Sequence, residues 1–177
     1  MTDADSSVMR RFFAGLTEYT FTARMGVADP PLLDYLTGLL TRFVRQDTIG
    51  RFRDLAGRRL HEVVDMLTEA EQRVGEARRE IHRHIGDVTL FWSGVYPEAL
   101  RRLRAPEQKD HLIDYAAQGK RAYHIAASIE ADTDDAPAEL LERLSAQFDL
   151  CRYGLHQVRR EWERRDDGPS TRPFLIN

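Results

Sequence analysis

Apolar residues recur at steps of three and four along nearly the whole chain, and no stretch alternates as a half-buried strand would. The first such segment runs from about Ser7 to Arg24. It is followed by Gly26, a residue type that adopts the left-handed conformation at a helix end with little strain. A second segment begins at Pro30, where proline costs no hydrogen bond, with Asp29 as the expected N-cap. The pattern therefore predicts two helices in the first part of the chain.

A longer apolar stripe continues from Leu60 to Val95. One unbroken helix of that length would measure about 50 Å, whereas a compact domain of this size has a radius of gyration of about 16 Å. We therefore expect a break near Thr68, where the letters TEAE match a capping box. Gly94 and Pro97 then end the second piece, and a short helix follows in the segment PEALRRLR.

Two further helices are predicted, over about 106–129 and about 136–165, with the polar linker EADTDDAPAE between them. Residues 1–168 are expected to form one helical domain, and residues 169–177 a C-terminal tail. The predicted fold class is thus all-α, a single helical bundle of about six or seven helices.

Composition is that of an ordinary folded protein and narrows the function classes. The 177 residues are 42% hydrophobic and 31% charged, and the net charge of −3 comes from interleaved signs, which disfavours a nucleic-acid binder. No apolar run approaches the roughly 20 residues of a membrane span, and the acidic start MTDADSS lacks the features of a signal peptide. The single cysteine, Cys151, cannot form an internal disulfide, so we expect a cytoplasmic protein.

The segment REIHRHIGDVTLFW, residues 79–92, carries the first candidate chemistry. On a helix His82 and His84 point about 200° apart, so they cannot hold one metal ion, and His82 is expected in solvent or at the rim. In contrast, Glu80, His84 and Asp87 follow steps of four and three and form one ridge at the edge of the buried face. These three residues are the predicted metal-ligand set.

The same ridge has a structural interpretation. His84 is then a buried histidine with a satisfied ring, and Asp87 pairs with a basic residue on another helix, because buried polar groups normally find partners. Gly86 would allow a neighbouring helix to approach closely. Both interpretations stay open at this point.

A second candidate set lies on the helix predicted over 106–129. Lys120 falls on its apolar face, and Tyr115 and Tyr123 could place hydroxyls in a pocket together with His84 and Asp87. Lys120 would serve there as an amine of lowered pKa, as a counter-ion for Asp87 or as an anion ligand. The alternative is a lysine whose stem packs while its ammonium group reaches water.

The sequence lacks the motifs of several common metal, nucleotide and catalytic sites. No glutamate has a histidine three residues later, so the di-iron pattern of helical bundles is absent, and one cysteine excludes a thiolate zinc site. The chain has no P-loop and no G-x-S-x-G motif. Cys151 lies on an apolar stripe and is expected to be a core residue. Whether the protein binds a cofactor and whether it is an enzyme both stay open.

The letters HIGD, the aromatic residues after them and GVYPE resemble a signature of uncharacterised bacterial all-helical proteins. GKRAY and FDLCRYGL resemble the same proteins more loosely. The resemblance implies a bacterial helical fold and attaches no activity to it.

Two functions follow as hypotheses. The leading one is a helical protein that acts through contact with a protein partner, either a second copy or another chain, because long amphipathic helices can donate a face. The rival is a small-ligand or metal-binding bundle, with or without enzymatic activity, built around His84, Asp87 and Lys120.

Overall fold

A computed structural model describes residues 3–44, 53, 56–132 and 136–166 of the chain. These residues form eight α-helices and no strand, which confirms the all-α prediction, with slightly more helices than the six or seven expected. Only an isolated bridge joins Arg53 and Arg59. The helices are α1 (Asp3–Glu18), α2 (Pro30–Val44), α3 (Val63–Glu71), α4 (Gly75–Gly94), α5 (Leu100–Leu103), α6 (Tyr115–Ala127), α7 (Ala138–Ala146) and α8 (Phe148–Asp166). A π-helical segment, Tyr19–Arg24, follows α1, and two 3₁₀ turns, Pro97–Ala99 and Lys109–Leu112, flank α5.

The first helical segment ends at Arg24 and α2 begins at Pro30, as predicted, but the first segment begins at Asp3 instead of about Ser7. Gly26 has a φ of +72°, the left-handed conformation that suits a glycine after a helix. Asp29 caps α2, since its Oδ1 accepts a hydrogen bond from the amide of Leu32 at 3.3 Å.

The break in the long apolar stripe is confirmed, but its predicted position at Thr68 is wrong. Thr68 lies inside α3, where its hydroxyl donates to the carbonyl of Val64 at 3.0 Å. The chain turns instead between Glu71 and Gly75, and Gly75 takes a φ of +56°. A glycine adopts that conformation without the strain that a Cβ would cause.

Two other helix boundaries differ from the prediction. Residues 106–114 do not belong to α6, which begins at Tyr115 because Asp114 accepts a hydrogen bond from the amide of Ala117 and caps the helix. The last predicted helix divides at Gln147 into α7 and α8. α7 packs mainly on α6, whereas α8 packs mainly on α4. One straight helix could not pack on both of these helices.

Helix α4 is the centre of the bundle. It contacts α2, α3, α6 and α8, and all its residues from 84 to 94 are buried. A helix that is buried on every face is typical of a bundle core. The core also includes Cys151, as predicted, and burial raises the pKa of its thiol to about 12.

No helix in the described part of the chain is long and apolar enough to cross a membrane. The predicted tail, residues 169–177, and part of the predicted linker between α6 and α7 lie outside the described residues.

Candidate functional site

The carboxylate of Asp87 lies at the centre of the bundle and joins three helices. Its Oδ1 accepts hydrogen bonds from the hydroxyls of Tyr35 on α2 and Tyr123 on α6, each at 2.7 Å. Its Oδ2 accepts from the guanidinium of Arg42, also on α2, at 3.0 Å. Asp87 and both tyrosines are buried, while the Arg42 side chain is partly exposed. We call these four residues the Asp87 cluster.

The two tyrosines of the Asp87 cluster act only as neutral donors. Burial raises the pKa of Tyr35 and of Tyr123 well above the ordinary value, and the negative charge of Asp87 raises both further. Their rings meet edge to face, with centroids 6.5 Å apart. Gly86, one residue before Asp87, gives the Tyr123 ring its place: a Cβ at position 86 would lie 2.6 Å from Cε1 of that ring.

The geometry fits a structural cluster better than a catalytic one. Both oxygens of Asp87 accept hydrogen bonds, and the positive charge of Arg42 compensates the negative charge of the carboxylate. The structural interpretation of Asp87, a carboxylate paired with a basic residue on another helix, therefore agrees with the contacts.

His84 and Glu80, the other ridge residues, have neighbours of their own. The ring of His84 is buried and stacks on Phe43 of α2 with centroids 6.0 Å apart. Glu80 is partly exposed and pairs with Arg83 at 3.0 Å. No three His, Cys, Asp or Glu side chains among the described residues are grouped so as to hold a metal ion. The metal set of Glu80, His84 and Asp87 stays a prediction that this geometry does not favour.

Lys120 and Tyr115 lie away from the Asp87 cluster. Lys120 Nζ donates to Asp149 Oδ2 at 2.6 Å, and both side chains are exposed, so the lysine reaches water as the structural alternative predicted. Tyr115 donates to Asp110 at 2.7 Å. Of the five residues predicted to bind a ligand, only Asp87 and Tyr123 are in direct contact by the described hydrogen bonds.

Asp110, the hydrogen-bond partner of Tyr115, has a structural role as the cap of α3. Its carboxylate accepts hydrogen bonds from the amides of Val63 and Val64, each at 2.9 Å, and so caps the N-terminus of α3. Asp110 is itself buried, and Tyr115 supplies its third hydrogen bond.

Sequence reasoning missed Tyr35 and Arg42. The two residues lie seven apart on α2, two helical turns along one face, and that spacing was the available signal. The expectation that His82 lies in solvent or at the rim is wrong, because its side chain is only 5% exposed. Burial, together with the charges of Arg78 and Arg121, lowers the pKa of His82 to about 4.

Helix α1 and the first residue of the π-helical segment that follows it, Tyr19, present apolar side chains to solvent. Val8, Phe12 and Tyr19 are 57%, 39% and 44% exposed. Gly15 lies between the last two, and a Cβ there would meet nothing within 4 Å. These four residues follow steps of four, three and four, so they form one line along the helix, which we call the α1 stripe.

Comparison with protein-family models, with functionally described proteins and with solved structures gave no match. The function must therefore be argued from the geometry alone.

Proposed function

We propose that the protein acts by contact with another protein chain, and that the partner is a second copy bound through the α1 stripe. The observation that carries the proposal is the exposure of Val8 and Phe12 on α1, and of Tyr19 at the start of the π-helical segment, along one line, while the opposite side of α1 is buried in the core. Apolar side chains in such a line are typical of a surface that another helix covers.

The spacing of the α1 stripe matches the seam of a two-stranded coiled coil. Steps of four, three and four alternate the d and a positions of a heptad, with Val8 and Gly15 at d and Phe12 and Tyr19 at a. In an antiparallel pair, a faces d, so Phe12 of one copy lies over Gly15 of the other. Val8 then lies over Tyr19, and each layer pairs a large residue with a smaller one.

Charge selects the antiparallel orientation. Arg11 and Glu18 are exposed and occupy successive g positions beside the α1 stripe. Antiparallel pairing brings Arg11 of each copy beside Glu18 of the other, which forms two ion pairs across the two-fold axis. Parallel pairing would place Arg11 against the e position, Leu16, which is buried in its own bundle.

The rival function, a ligand-binding pocket around His84, Asp87 and Lys120, has less support. Lys120 pairs with Asp149 at the surface, and the oxygens of Asp87 already accept hydrogen bonds from protein donors. A cytoplasmic location in a bacterium belongs to the proposal as well. Its support is the lone, buried Cys151 and the resemblance of the HIGD and GVYPE segments.

Sedimentation velocity over about 3 to 300 μM protein tests the association, because a seam of one helix pair is a small interface for which micromolar affinity is reasonable. The wild type should pass from monomer to dimer, and Phe12→Glu should stay monomeric. Tyr153→Glu is the control: Tyr153 is an exposed aromatic residue on α8, outside the α1 stripe. That variant should still dimerise.

Charge reversal tests the antiparallel register without altering the core. Arg11→Glu alone places two carboxylates together at each end of the seam and should weaken dimerisation about tenfold. The double variant Arg11→Glu with Glu18→Arg should restore it. A wild type that is monomeric throughout, or a double variant weaker than the single one, contradicts the proposal.

A further inference from the structure

A cavity of about 350 Å³ opens between α8 and the segment that joins α4 to α5. One part of its lining is Ser93, near the end of α4, with Pro97 and Leu100 from the turn and short helix that follow. The rest of the lining comes from α8. Small-molecule sites have volumes of about 300 to 1,000 Å³, so this cavity has room for a small ligand.

The α8 side of the cavity is polar and aromatic. Asp149, Arg152, Tyr153 and His156 line it, and their steps of three, one and three place them on one face of the helix. The opposite side consists of Pro97 and Leu100, which are apolar and partly buried. The cavity therefore suits a ligand with an apolar body and a polar group.

Arg152 supplies a guanidinium that a ligand can reach. Its side chain is 41% exposed, and its Nη2 lies 3.3 Å from Asp149 Oδ1. Apart from this ion pair, Arg152 donates no hydrogen bond to a residue in the described part of the chain. The carboxylate of Asp149 also binds Lys120, at 2.6 Å. A carboxylate that two cations share compensates only part of their charge, so the cavity can accept one further negative charge.

His156 supplies a second donor one helical turn from Arg152. Its Nδ1 is buried and has no hydrogen-bond partner among the described residues, so Nε2 is the ring nitrogen that a ligand in the cavity can contact. A buried N–H without an acceptor is costly. The neutral ring is therefore favoured with its proton on Nε2, where it can donate to a ligand.

We infer that this cavity binds a small organic carboxylate. The carboxylate would accept hydrogen bonds from the guanidinium of Arg152 and from Nε2 of His156, while its apolar body packs between Leu100 and the ring of Tyr153. A guanidinium fork matches a planar carboxylate, and Asp149 in the lining would repel the second charge of a phosphate group. The cavity does not include the α1 stripe, so the two proposals can fail separately.

Benzoate is the probe, and benzamide is its uncharged counterpart of the same shape. In calorimetric titrations the wild type should bind benzoate with a Kd of about 1 mM or tighter, and benzamide about tenfold more weakly. Arg152→Gln should weaken benzoate binding about tenfold or more, because it removes the charged donor. Arg160→Gln is the matched control: Arg160 is an exposed arginine two turns further along α8, outside the cavity lining, and its variant should bind as the wild type does.

A second measurement uses the wild type alone, so it decides the question even if Arg152→Gln does not fold. In NMR titrations benzoate should shift the ring signals of His156 and Tyr153 until they saturate. The exposed ring of His124 on α6 should not respond. Benzoate that binds no better than benzamide, equal weakening in Arg152→Gln and Arg160→Gln, or His156 signals that stay in place would overturn the inference.

Discussion

Burying the carboxylate of Asp87 costs free energy, but the hydrogen bonds that it accepts also fix which helices pack together. A carboxylate in a bundle core loses its water, and only donors aimed at both oxygens compensate for that loss. Tyr35, Tyr123 and Arg42 supply them from two other helices. The cluster thereby ties the position of α4 to those of α2 and α6.

Asp87→Asn should therefore lower the free energy of unfolding by about 3 kcal/mol, since it removes the charge that compensates Arg42 and turns an amide donor toward the guanidinium. Urea unfolding followed by circular dichroism measures this loss. Asp149→Asn removes an exposed carboxylate paired with Lys120 and should cost less than about 1 kcal/mol. Equal losses in the two variants would contradict the central role of Asp87.

His82 should make the protein sensitive to acid. Its pKa is about 4 in the folded state and near 6.5 in the unfolded chain, so the unfolded state binds the proton more readily. The stability held by neutral His82 is complete above about pH 6.5 and is lost as the pH falls toward 4, by up to about 3 kcal/mol. His82→Gln should flatten the stability profile in this window. Identical wild-type and His82→Gln profiles, measured by urea unfolding at each pH, would refute this.

At the scale of elements, glycines set how closely the helices approach. A Cβ at Gly86 would lie only 2.6 Å from the ring of Tyr123. A Cβ at Gly119 on α6 would lie 2.4 Å from Phe148 and 2.5 Å from Thr89. The α4–α6 pair thus carries a glycine on each helix where it meets bulky neighbours. Close approach explains why this pair has the most extensive contact in the bundle.

The variant Gly86→Ala tests whether tight packing outweighs the higher helix propensity of alanine at this position. In an exposed helix the change would stabilise by about 1 kcal/mol, but here the methyl group must displace the Tyr123 ring and with it a hydrogen bond to Asp87. We expect a net loss of about 1 to 3 kcal/mol in the free energy of unfolding, measured in urea. A gain in stability would show that the α4–α6 spacing is not set by Gly86.

At the scale of the whole molecule, the polar Asp87 cluster and the apolar α1 stripe lie at different depths. The Asp87 cluster lies at the centre of the bundle, whereas the α1 stripe lies at its surface. Self-association through the α1 stripe would therefore leave the Asp87 cluster untouched.

The amino-acid sequence by itself determined the helical class, the C-terminal end of the first helical segment and the start of α2, because these depend on local periodicity and on capping residues such as Asp29 and Gly26. It also placed Glu80, His84 and Asp87 on one ridge. The burial of Cys151 followed from the same periodicity.

Only the tertiary structure decided which groups meet. Tyr35 and Arg42 lie 52 and 45 residues before Asp87, and helical spacing carries no information about contacts between distant helices. The same limit applies to His82, whose burial comes from neighbouring helices, and to the turn at Gln147, where α7 and α8 follow different partners. Periodicity reports which side of a helix is apolar, whereas packing decides what covers it.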